Sequence, residues 1–478
     1  MNKPFFITAS IPYVNAVPHV GHAVELVQAD VIARYHRPPA YDTYFLTGSD
    51  ENAIKNVQSA EQAGKPVAEF VAENAEAFQA LSGSLNLSLD QFIRTTEERH
   101  FAGATKFWQA LDPKDLELKS YSGLYCIGCE EFKNEKDLIE GKCPDHQKVP
   151  EHIQEQNWFF KLSNYSDRLL ALIESGDLAI YPDYRRNEVI AFIKSGLEDF
   201  SMSRSVERAK HWGVPVPGDE SQIMYVWVDA LANYITALDY EGEGELYQKY
   251  WNATDSEKVH VIGKGILRFH AIYWPAMLLS ANLPLPTTIY AHEYLTINGQ
   301  KMSKSLGNVI YPSDLVEKYG IDGTRYLLLT ALPYTRDGDL SWDKMTEKYN
   351  ADLANGLGNL VSRIVKLSEK LTTEESKQIE VSEEGVSGAL APFFAKFDLS
   401  SALVHIWTSV QMLNEYLGKE EPWKLEPDTE KFVEVMKYAR HQLAQISAEV
   451  RPFLPGTSEK IATALVTGKV EPLFQRIK

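Results

Sequence analysis

The sequence predicts an α/β fold with a doubly wound parallel sheet, an inserted segment that holds every cysteine, and a C-terminal all-α helical bundle. Three observations predict it. Short β-prone runs alternate with helical patterns near the start, the three cysteines cluster in one stretch, and strand signals vanish from about Asp343 onward. The length of 478 residues and the hydrophobic content of 44% allow several domains with real cores.

The first elements are a strand, a loop and a helix. FFITASI at 5–11 is β-prone, and the turn-rich loop after it leads into a segment where apolar residues recur at helical spacing from Val24. A second β-prone run begins at Tyr41 and ends in small and acidic residues. Because ligands of parallel sheets bind beyond the carboxyl ends of the strands, we expect residues 10–22 and 48–52 on one rim.

Strand and helix character returns after the cysteine-containing insertion, at 222–238 and 258–281. The polar segment after Asn298-Gly299, a turn dipeptide, is expected to form an exposed loop. Amphipathic patterns typical of a helical bundle then follow, separated by proline, glycine and acidic breaks, at 345–371, 399–418 and 429–450.

Charge and hydropathy exclude several classes of protein. The 48 basic and 66 acidic residues give a net charge of −18, which opposes indiscriminate binding to nucleic acid or anionic membranes. Any nucleic-acid contact must therefore be local. The sequence has no run of about 18 apolar residues and no secretory signal, so we expect a cytoplasmic protein without a membrane partner.

The cysteine cluster predicts a metal site. Cys126 and Cys129 form one closely spaced pair, and Cys143 and His146 form a second pair thirteen residues further on. Sulfur and nitrogen ligands in two such pairs are typical of structural zinc, whose four ligands leave no open position for chemistry. Three free cysteines in a loop are the alternative, and a disulfide framework is disfavoured because so few cysteines occur.

The segment PHVGH contains His19 and His22 three residues apart. Zinc hydrolases space two histidines four apart with a glutamate between them, so a metal site is a poor explanation. A helix amino terminus after a strand presents free N–H groups and suits phosphate, and Gly21 permits a close approach. From this segment alone, phosphate binding and two ordinary loop histidines remain nearly equal alternatives.

The segment KMSKS is a second candidate for binding phosphate. Lys301 and Lys304, with Ser303 and Ser305, could close over an anionic ligand and supply positive charge to a phosphoryl group. A loop of this composition is otherwise usually solvated surface.

Together, the HVGH and KMSKS segments resemble the two signatures of class I aminoacyl-tRNA synthetases. Within that class the chain is similar to the methionyl-tRNA synthetases along nearly its full length. The matching segments occur in the family's order: IPYVNAVPHVGHAVELVQADVIARY, YVWVDALANY, ILRFHAIYWPAML, NGQKMSKSLGN, GLGNLVSR and EEPW.

The resemblance implies that the chain activates L-methionine with ATP and Mg²⁺ to methionyl-adenylate. It then transfers the methionyl group to the 3′-terminal ribose of tRNA(Met), both initiator and elongator. The implied fold is a Rossmann-like doubly wound parallel sheet with an inserted zinc-knuckle connective domain and a C-terminal helical bundle. The implied parts are the two halves of the catalytic domain at 1–113 and 205–292, the connective insertion at 114–204, the KMSKS loop and stem-contact region at 293–345, and the anticodon-binding domain at 346–478.

The resemblance also assigns roles to residues. Catalysis falls to His19, His22, Lys301 and Lys304. ATP binding is assigned to Tyr13, Asn15, Gly21, His22, Lys264, Ile266 and Lys304. Methionine binding is assigned to Ser10, Ile11, Tyr13, Asp50, Trp227, Ala230, Leu231, Tyr234, Ile266, His270 and Trp274. The anticodon is assigned to Asn359, Arg363 and Trp423, and structural zinc to Cys126, Cys129, Cys143 and His146. For the apolar residues of the methionine set, a place in the core is the competing interpretation.

Three departures from the family pattern stand out. Asn52-Ala53 replaces the common His-Gly, and Gly265 replaces an acidic residue that often meets the ATP ribose, so both put local ATP contacts in doubt. The chain ends at Lys478 without an oligonucleotide-binding domain of the kind that dimerises some relatives, so we expect a monomer.

Two rival functions remain open. A synthetase for isoleucine, valine, leucine or cysteine is the nearer one. The insertion is taken up mostly by the cysteine segment and leaves little room for the editing domain of the first three enzymes, and its cysteines lie outside the expected active site. A tRNA-binding paralogue without catalysis is the other rival, and the intact histidine and lysine motifs argue against it.

Overall fold

A computed structural model describes residues 2–37, 41–126, 131–133, 135, 138–144, 147–302, 307–371, 383–427, 429–469 and 471–478, with backbone only at 131–132 and 383–387. Contacts divide the chain into two units. The first unit comprises residues 1–18, 39–82 and 89–291, and the second comprises 19–38, 83–88 and 292–478.

The strands of the described residues are, in chain order, β1 (Lys3–Ala9), β2 (Tyr41–Ser49), β3 (Gln91–Arg94), β4 (Leu116–Cys126), β5 (Glu131–Lys133), β6 (Glu151–Phe160), β7 (Ala179–Tyr181), β8 (Phe200–Ser201), β9 (Ser203–Ser205), β10 (Pro215–Val216), β11 (Asp219–Met224), β12 (Glu257–Gly263), β13 (Thr288–His292), β14 (Leu295–Ile297), β15 (Gln300–Lys301) and β16 (Gly338–Leu340).

The α-helices of the same residues are α1 (Val20–His36), α2 (Ile54–Ala63), α3 (Val67–Gln79), α4 (Leu81–Ser84), α5 (Glu98–Ala110), α6 (Ser166–Ser175), α7 (Asp183–Lys194), α8 (Val226–Thr236), α9 (Trp274–Ser280), α10 (Pro312–Ala331), α11 (Trp342–Lys348), α12 (Asn359–Ser368), α13 (Glu383–Phe394), α14 (Leu399–Glu420), α15 (Glu430–Val450) and α16 (Pro455–Thr467). Helical segments of π type lie at Tyr247–Asn252, Phe269–Tyr273 and Tyr349–Gly358.

The main sheet has the strand order β3-β2-β1-β12-β13-β7. β1 pairs in parallel with β2 and β12, β2 pairs in parallel with β3, and β13 pairs in parallel with β7. The predicted parallel α/β sheet is therefore confirmed. Strand β1, in the middle of the sheet, is apolar because both faces of the sheet are covered, and its Phe5, Phe6 and Ile7 are buried. Burial of each such side chain contributes about 1.5–3 kcal/mol to the free energy of unfolding.

The insertion forms a separate antiparallel sheet in the order β5-β4-β6-β8. β4 and β6 pair in continuous register from Leu116 opposite Phe160 to Tyr125 opposite Glu151. The long hairpin fixes Cys126 at the far end of β4, one residue beyond this ladder.

The second unit is mostly helical from α11 onward. A fully buried ion pair joins two of its helices, with the Arg325 guanidinium on α10 2.7 Å from the Asp30 carboxylate on α1. Burial raises the pKa of Asp30, but Arg325 and Arg34 outweigh burial and hold that pKa below its usual value. Arg325 also donates to the carbonyls of Phe453 and Pro452, so α1, α10 and the corner before α16 are held together. None of the helices in the described ranges has the length and apolar character needed to cross a membrane.

Candidate active site

The loop after β1 is held at the carboxyl edge of the main sheet by backbone hydrogen bonds. The Ser10 N–H donates to the Val261 carbonyl over 3.2 Å. Tyr13 and Asp50 form a parallel backbone bridge, and the Asp50 N–H donates to the Pro12 carbonyl over 2.9 Å. Asp50, only 3% exposed, thus lies beside the first loop, as the parallel sheet predicts for residues that follow neighbouring strands.

Aromatic rings gather next to this loop. Trp227 on α8 stacks on Phe269 with centroids 3.9 Å apart and 7° between the planes. Tyr13 and His270 meet the Trp227 ring edge-on at centroid distances of 6.4 and 6.5 Å. Phe269 is absent from the predicted set, although its place directly before His270 in the sequence was an available signal.

Tyr234 and His270 form a buried hydrogen bond. The Tyr234 hydroxyl lies 2.7 Å from His270 Nε2, and His270 Nδ1 lies 2.9 Å from the Ile266 carbonyl oxygen. Because a carbonyl only accepts, Nδ1 carries the ring proton and Nε2 accepts from the tyrosine. The Tyr234 hydroxyl is therefore oriented by His270, and the Ile266 carbonyl in turn orients the His270 ring.

The other apolar members of the predicted methionine set lie deeper. Ala230, Leu231 and Trp274 are buried, and the Trp274 ring centroid lies 6.3 Å from that of Tyr234 and 5.3 Å from that of Phe107. This placement is what core packing predicts. Contact between Trp274 and a ligand stays a prediction.

The end of β12 carries the predicted ATP residues of the first unit. Lys264 and Ile266 lie half-buried in a 3-10 turn that directly follows the strand, with Gly265 exposed between them. Asn15, in the first loop, is exposed. A cation that the sequence reasoning missed also lies here: Lys55 Nζ is 4.8 Å from the centre of the Tyr13 ring.

His19 and His22 open helix α1 in the second unit. The Gly21 N–H donates to His19 Nδ1 over 3.0 Å, and the His19 N–H donates to His22 Nδ1 over 3.1 Å. The rings stack with centroids 3.9 Å apart. The pair therefore caps the helix reciprocally, a role that serine, threonine and glutamate usually fill.

These caps decide where the ring protons are. Because Nδ1 of both His19 and His22 accepts a backbone N–H, Nε2 carries the proton in each neutral ring. Burial, and secondarily His19, lower the pKa of His22 well below its usual value. His22 is therefore a neutral hydrogen-bond donor at physiological pH, at the positive end of the α1 dipole.

The start of α1 lies beside Met302 of the KMSKS segment and beside Ile310, which follows that segment. The Val20 N–H donates to the Ile310 carbonyl over 3.1 Å. A Cβ added to Gly21 would lie 2.8 Å from His19 Cε1 and 3.4 Å from the Met302 methyl carbon. A side chain at position 21 would therefore displace the folded-back His19 ring.

Lys301 ends the hairpin of β14 and β15, whose turn is Asn298-Gly299 with φ values of 52° and 73°. The turn predicted from that dipeptide is confirmed, and Lys301 is exposed. The Asn308 side chain donates to the Lys301 carbonyl over 3.2 Å. Lys304, with Ser303 and Ser305, lies outside the described residues.

Two of the four predicted zinc ligands are described. Cys126 ends β4 and Cys143 lies in a turn, and both are buried. Cys129 and His146 lie outside the described residues. No group of three metal-binding side chains occurs in the described ranges, so the fourfold set stays a prediction.

The predicted anticodon residues lie on helix α12 and on the 3-10 turn Pro422–Lys424. Asn359 begins α12 and is exposed, and Arg363 lies one turn later on the same face. The Arg363 guanidinium carbon is 5.0 Å from the centre of the Trp423 ring, which is 44% exposed. Two residues distant in sequence thus form one cation–π stack.

Comparison with known proteins places these features in one family. The family model described as tRNA synthetases class I (M) matches residues 5–149 and 136–365. A methionine–tRNA ligase of Brucella suis biovar 1 (strain 1330) is 41% identical over 479 residues, covering 97% of this chain and 92% of the relative. The chain belongs to the methionine–tRNA ligase family.

Other members extend this finding. The methionine–tRNA ligase of Caldanaerobacter subterraneus subsp. tengcongensis is 40% identical over 476 residues, covering 96% of this chain and 74% of the relative. A solved structure of Mycobacterium tuberculosis methionyl-tRNA synthetase in complex with methionyl-adenylate superposes with a TM-score of 0.89 at 37% identity, covering 96% of this chain and 93% of that one. The resemblance inferred from the motifs is thus confirmed for the methionine–tRNA ligase family.

Proposed function

We propose that the chain activates methionine with ATP and then transfers the methionyl group to the 3′-terminal ribose of tRNA(Met). Its methionine–tRNA ligase relatives support the reaction. The observation that carries the proposal is the contact at the start of α1, where Met302, next to Lys301 in the KMSKS segment, lies beside the histidine pair of the HVGH segment.

In the first step, a methionine carboxylate oxygen attacks the α-phosphorus of ATP, and pyrophosphate leaves with the electron pair of the broken P–O bond. No protein base is needed because the carboxylate is already ionised. Catalysis then rests on positioning and on stabilising the charge of the phosphates. In the second step, a ribose hydroxyl oxygen attacks the methionyl carbonyl carbon and the bond from that carbon to the phosphate oxygen breaks. AMP leaves with the electron pair of this bond, and the hydroxyl proton passes to the departing phosphate.

The phosphates are assigned to the second unit. His19 and His22 donate from Nε2, and the start of α1 adds the positive end of its helix dipole. Lys301, at the end of β15, and Lys304 supply full positive charges. Mg²⁺ accompanies ATP because phosphate oxygens provide most of its ligands.

The amino acid is assigned to the first unit. Asp50 pairs with the methionine ammonium, and Ser10, Ile11 and Tyr13 border it on the first loop. The aromatic group around Trp227 suits a flexible, polarisable thioether. The Tyr234 hydroxyl donates to His270 Nε2, and this bond holds the Tyr234 ring in one orientation beside the aromatic group.

Zinc is assigned to the connective insertion. Two buried thiols, Cys126 and Cys143, fit a thiolate site, and Cys129 and His146 complete the tetrahedral set. The zinc stabilises the insertion and takes no part in either chemical step.

The helical C-terminal part is assigned to the anticodon, for both initiator and elongator tRNA(Met). An exposed indole on a guanidinium presents a face on which a splayed base stacks. Recognition by a few such groups is compatible with the net charge of −18. We place the reaction in the cytoplasm, where translation uses its product, and we expect a monomer.

Exchange of labelled pyrophosphate into ATP tests the activation step. The purified chain should catalyse exchange that depends on methionine and that exceeds exchange with isoleucine, valine, leucine or cysteine. Exchange no greater than background, or greater with another amino acid, would contradict the proposal.

A further inference from the structure

A fully buried carboxylate lies behind the methionine residues. Asp229 on α8 is 1% exposed. The Asn52 amide donates to its Oδ2 over 2.7 Å, and His100 Nε2 lies 2.5 Å from its Oδ1. Because a carboxylate only accepts, both contacts hold it from fixed directions.

The residues that contact Asp229 belong to other elements of the fold. The same Asn52 amide donates to the Thr95 carbonyl over 3.0 Å, and Asn52 follows Asp50 by two residues. His100, on α5, also contacts the Thr236 hydroxyl at the end of α8 through Nδ1 over 2.8 Å. Asp229 therefore connects the loop of Asp50, the end of β3 and helix α5 to α8.

The two faces of α8 carry different groups of residues. Trp227, Ala230, Leu231 and Tyr234 recur at helical spacing on one face, whereas Asp229 and Thr236, seven residues apart, lie on the opposite face. Helix α5 packs tightly on that opposite face, since a Cβ at Gly103 would lie 2.5 Å from the Thr236 methyl group. The polar cluster thus faces away from the ligand residues.

We infer that Asn52, His100 and Asp229 are positioning residues for methionine: they lock the rotation of α8, and with it Trp227 and Tyr234, relative to the loop of Asp50. This inference rests on the methionine site proposed above. Burying a carboxylate with donors from two other segments costs more free energy than apolar packing, but it fixes distance and angle together. The family departure at Asn52 therefore concerns the methionine side of the site, because its amide is directed inward to Thr95 and Asp229.

The test is a reciprocal swap, read out by steady-state pyrophosphate exchange. Asp229→Asn keeps the shape but places two amides face to face, so we expect the KM for methionine to rise about tenfold while the KM for ATP changes less than about twofold. Asn52→Asp places two carboxylates face to face and should act in the same direction. The double variant N52D/D229N restores an amide opposite a carboxylate but leaves the Thr95 carbonyl without its donor, so it should recover part of the lost methionine affinity.

The matched control is Asp115→Asn, in which the buried carboxylate held by Ser280 and Tyr165 is neutralised in the same unit. It should lower the melting temperature without changing the KM for methionine. The inference is overturned by an unchanged KM in Asp229→Asn, by equal changes for both substrates, or by a double variant no better than the single ones. If Asp229→Asn does not fold, Asn52→Ala carries the same prediction. Absence of exchange in the unmodified chain would instead count against the proposed function.

Discussion

His22 has two roles in this account. Its Nδ1 accepts the hydrogen bond that caps helix α1, and its Nε2–H is the group that we propose donates to a phosphate. Replacing His22 with asparagine leaves an amide oxygen as acceptor for the cap but removes the donor at the position of Nε2, which the shorter amide N–H does not reach. We expect kcat for pyrophosphate exchange to fall about a hundredfold, with the KM for methionine nearly unchanged. His36→Asn, in the last turn of the same helix, is the control. Equal losses in both variants, or none in His22→Asn, would contradict the assignment.

His260 gives a prediction about pH. Burial, and then His270, lower its pKa well below the usual value. Below pH of about 6.5 the unfolded chain therefore binds a proton that the folded chain does not, so stability is complete above that pH and decreases as the pH falls. We expect the free energy of unfolding, measured with urea, to drop between pH 7.5 and 5.5 by up to about 1.4 kcal/mol per pH unit for each such histidine.

His260→Phe is the variant that isolates this effect. It removes the titrating group, which contacts the Thr8 hydroxyl over 2.8 Å, and should give a shallower pH dependence even if it is less stable overall. The same slope in both proteins, or stability that rises as the pH falls, would show that His260 does not titrate as described.

Helix α12 and the turn at Trp423 are joined by the contact of Arg363 with Trp423, and we propose that they bind the anticodon together. We expect Trp423→Ala and Arg363→Ala each to reduce charging of a tRNA with a CAU anticodon by about tenfold or more while leaving pyrophosphate exchange intact. Because the two groups stack, the double variant should lose less than the sum of the single losses.

Tyr438→Ala is the control for this prediction. Tyr438 is 47% exposed, and its ring lies 4.5 Å from that of Tyr416 with 55° between the planes, so its loss removes a comparable aromatic surface. Charging should be unaffected. Loss of exchange together with charging in Trp423→Ala would mean that Trp423 supports the fold and does not contact the anticodon.

The hairpin of β4 and β6 presents Cys126 at its tip, and the zinc proposed there should behave as a structural element. We expect one zinc per chain by metal analysis, reduced in Cys143→Ser, and faster proteolysis within 114–204 after chelation. A chain with no zinc and an insertion that resists protease equally with and without chelator would contradict this.

At the level of the whole molecule, the features that could be predicted from the sequence are those that local patterns determine. Apolar strand runs predicted the parallel sheet, and Asn298-Gly299 predicted the hairpin turn, because each is determined within a few residues. That the HVGH and KMSKS segments act together could be inferred only from the resemblance of both segments to one family.

What the sequence did not predict depends on contacts between distant segments. The stack of Phe269 on Trp227 and the contacts of Asp229 with Asn52 and His100 join residues that no periodicity relates. The helix cap by His19 was also missed, since histidine is not a usual capping residue and its role depends on a second histidine one turn later.

The central claim is that this chain joins methionine, and no other amino acid, to tRNA. The most direct measurement is the formation of aminoacyl-tRNA by the purified chain with ATP, Mg²⁺, tRNA bearing a CAU anticodon, and each of methionine, isoleucine, valine, leucine and cysteine. The account predicts rapid charging with methionine alone. Charging with a different amino acid, or none with methionine under conditions where a known methionine–tRNA ligase charges the same tRNA, would contradict it.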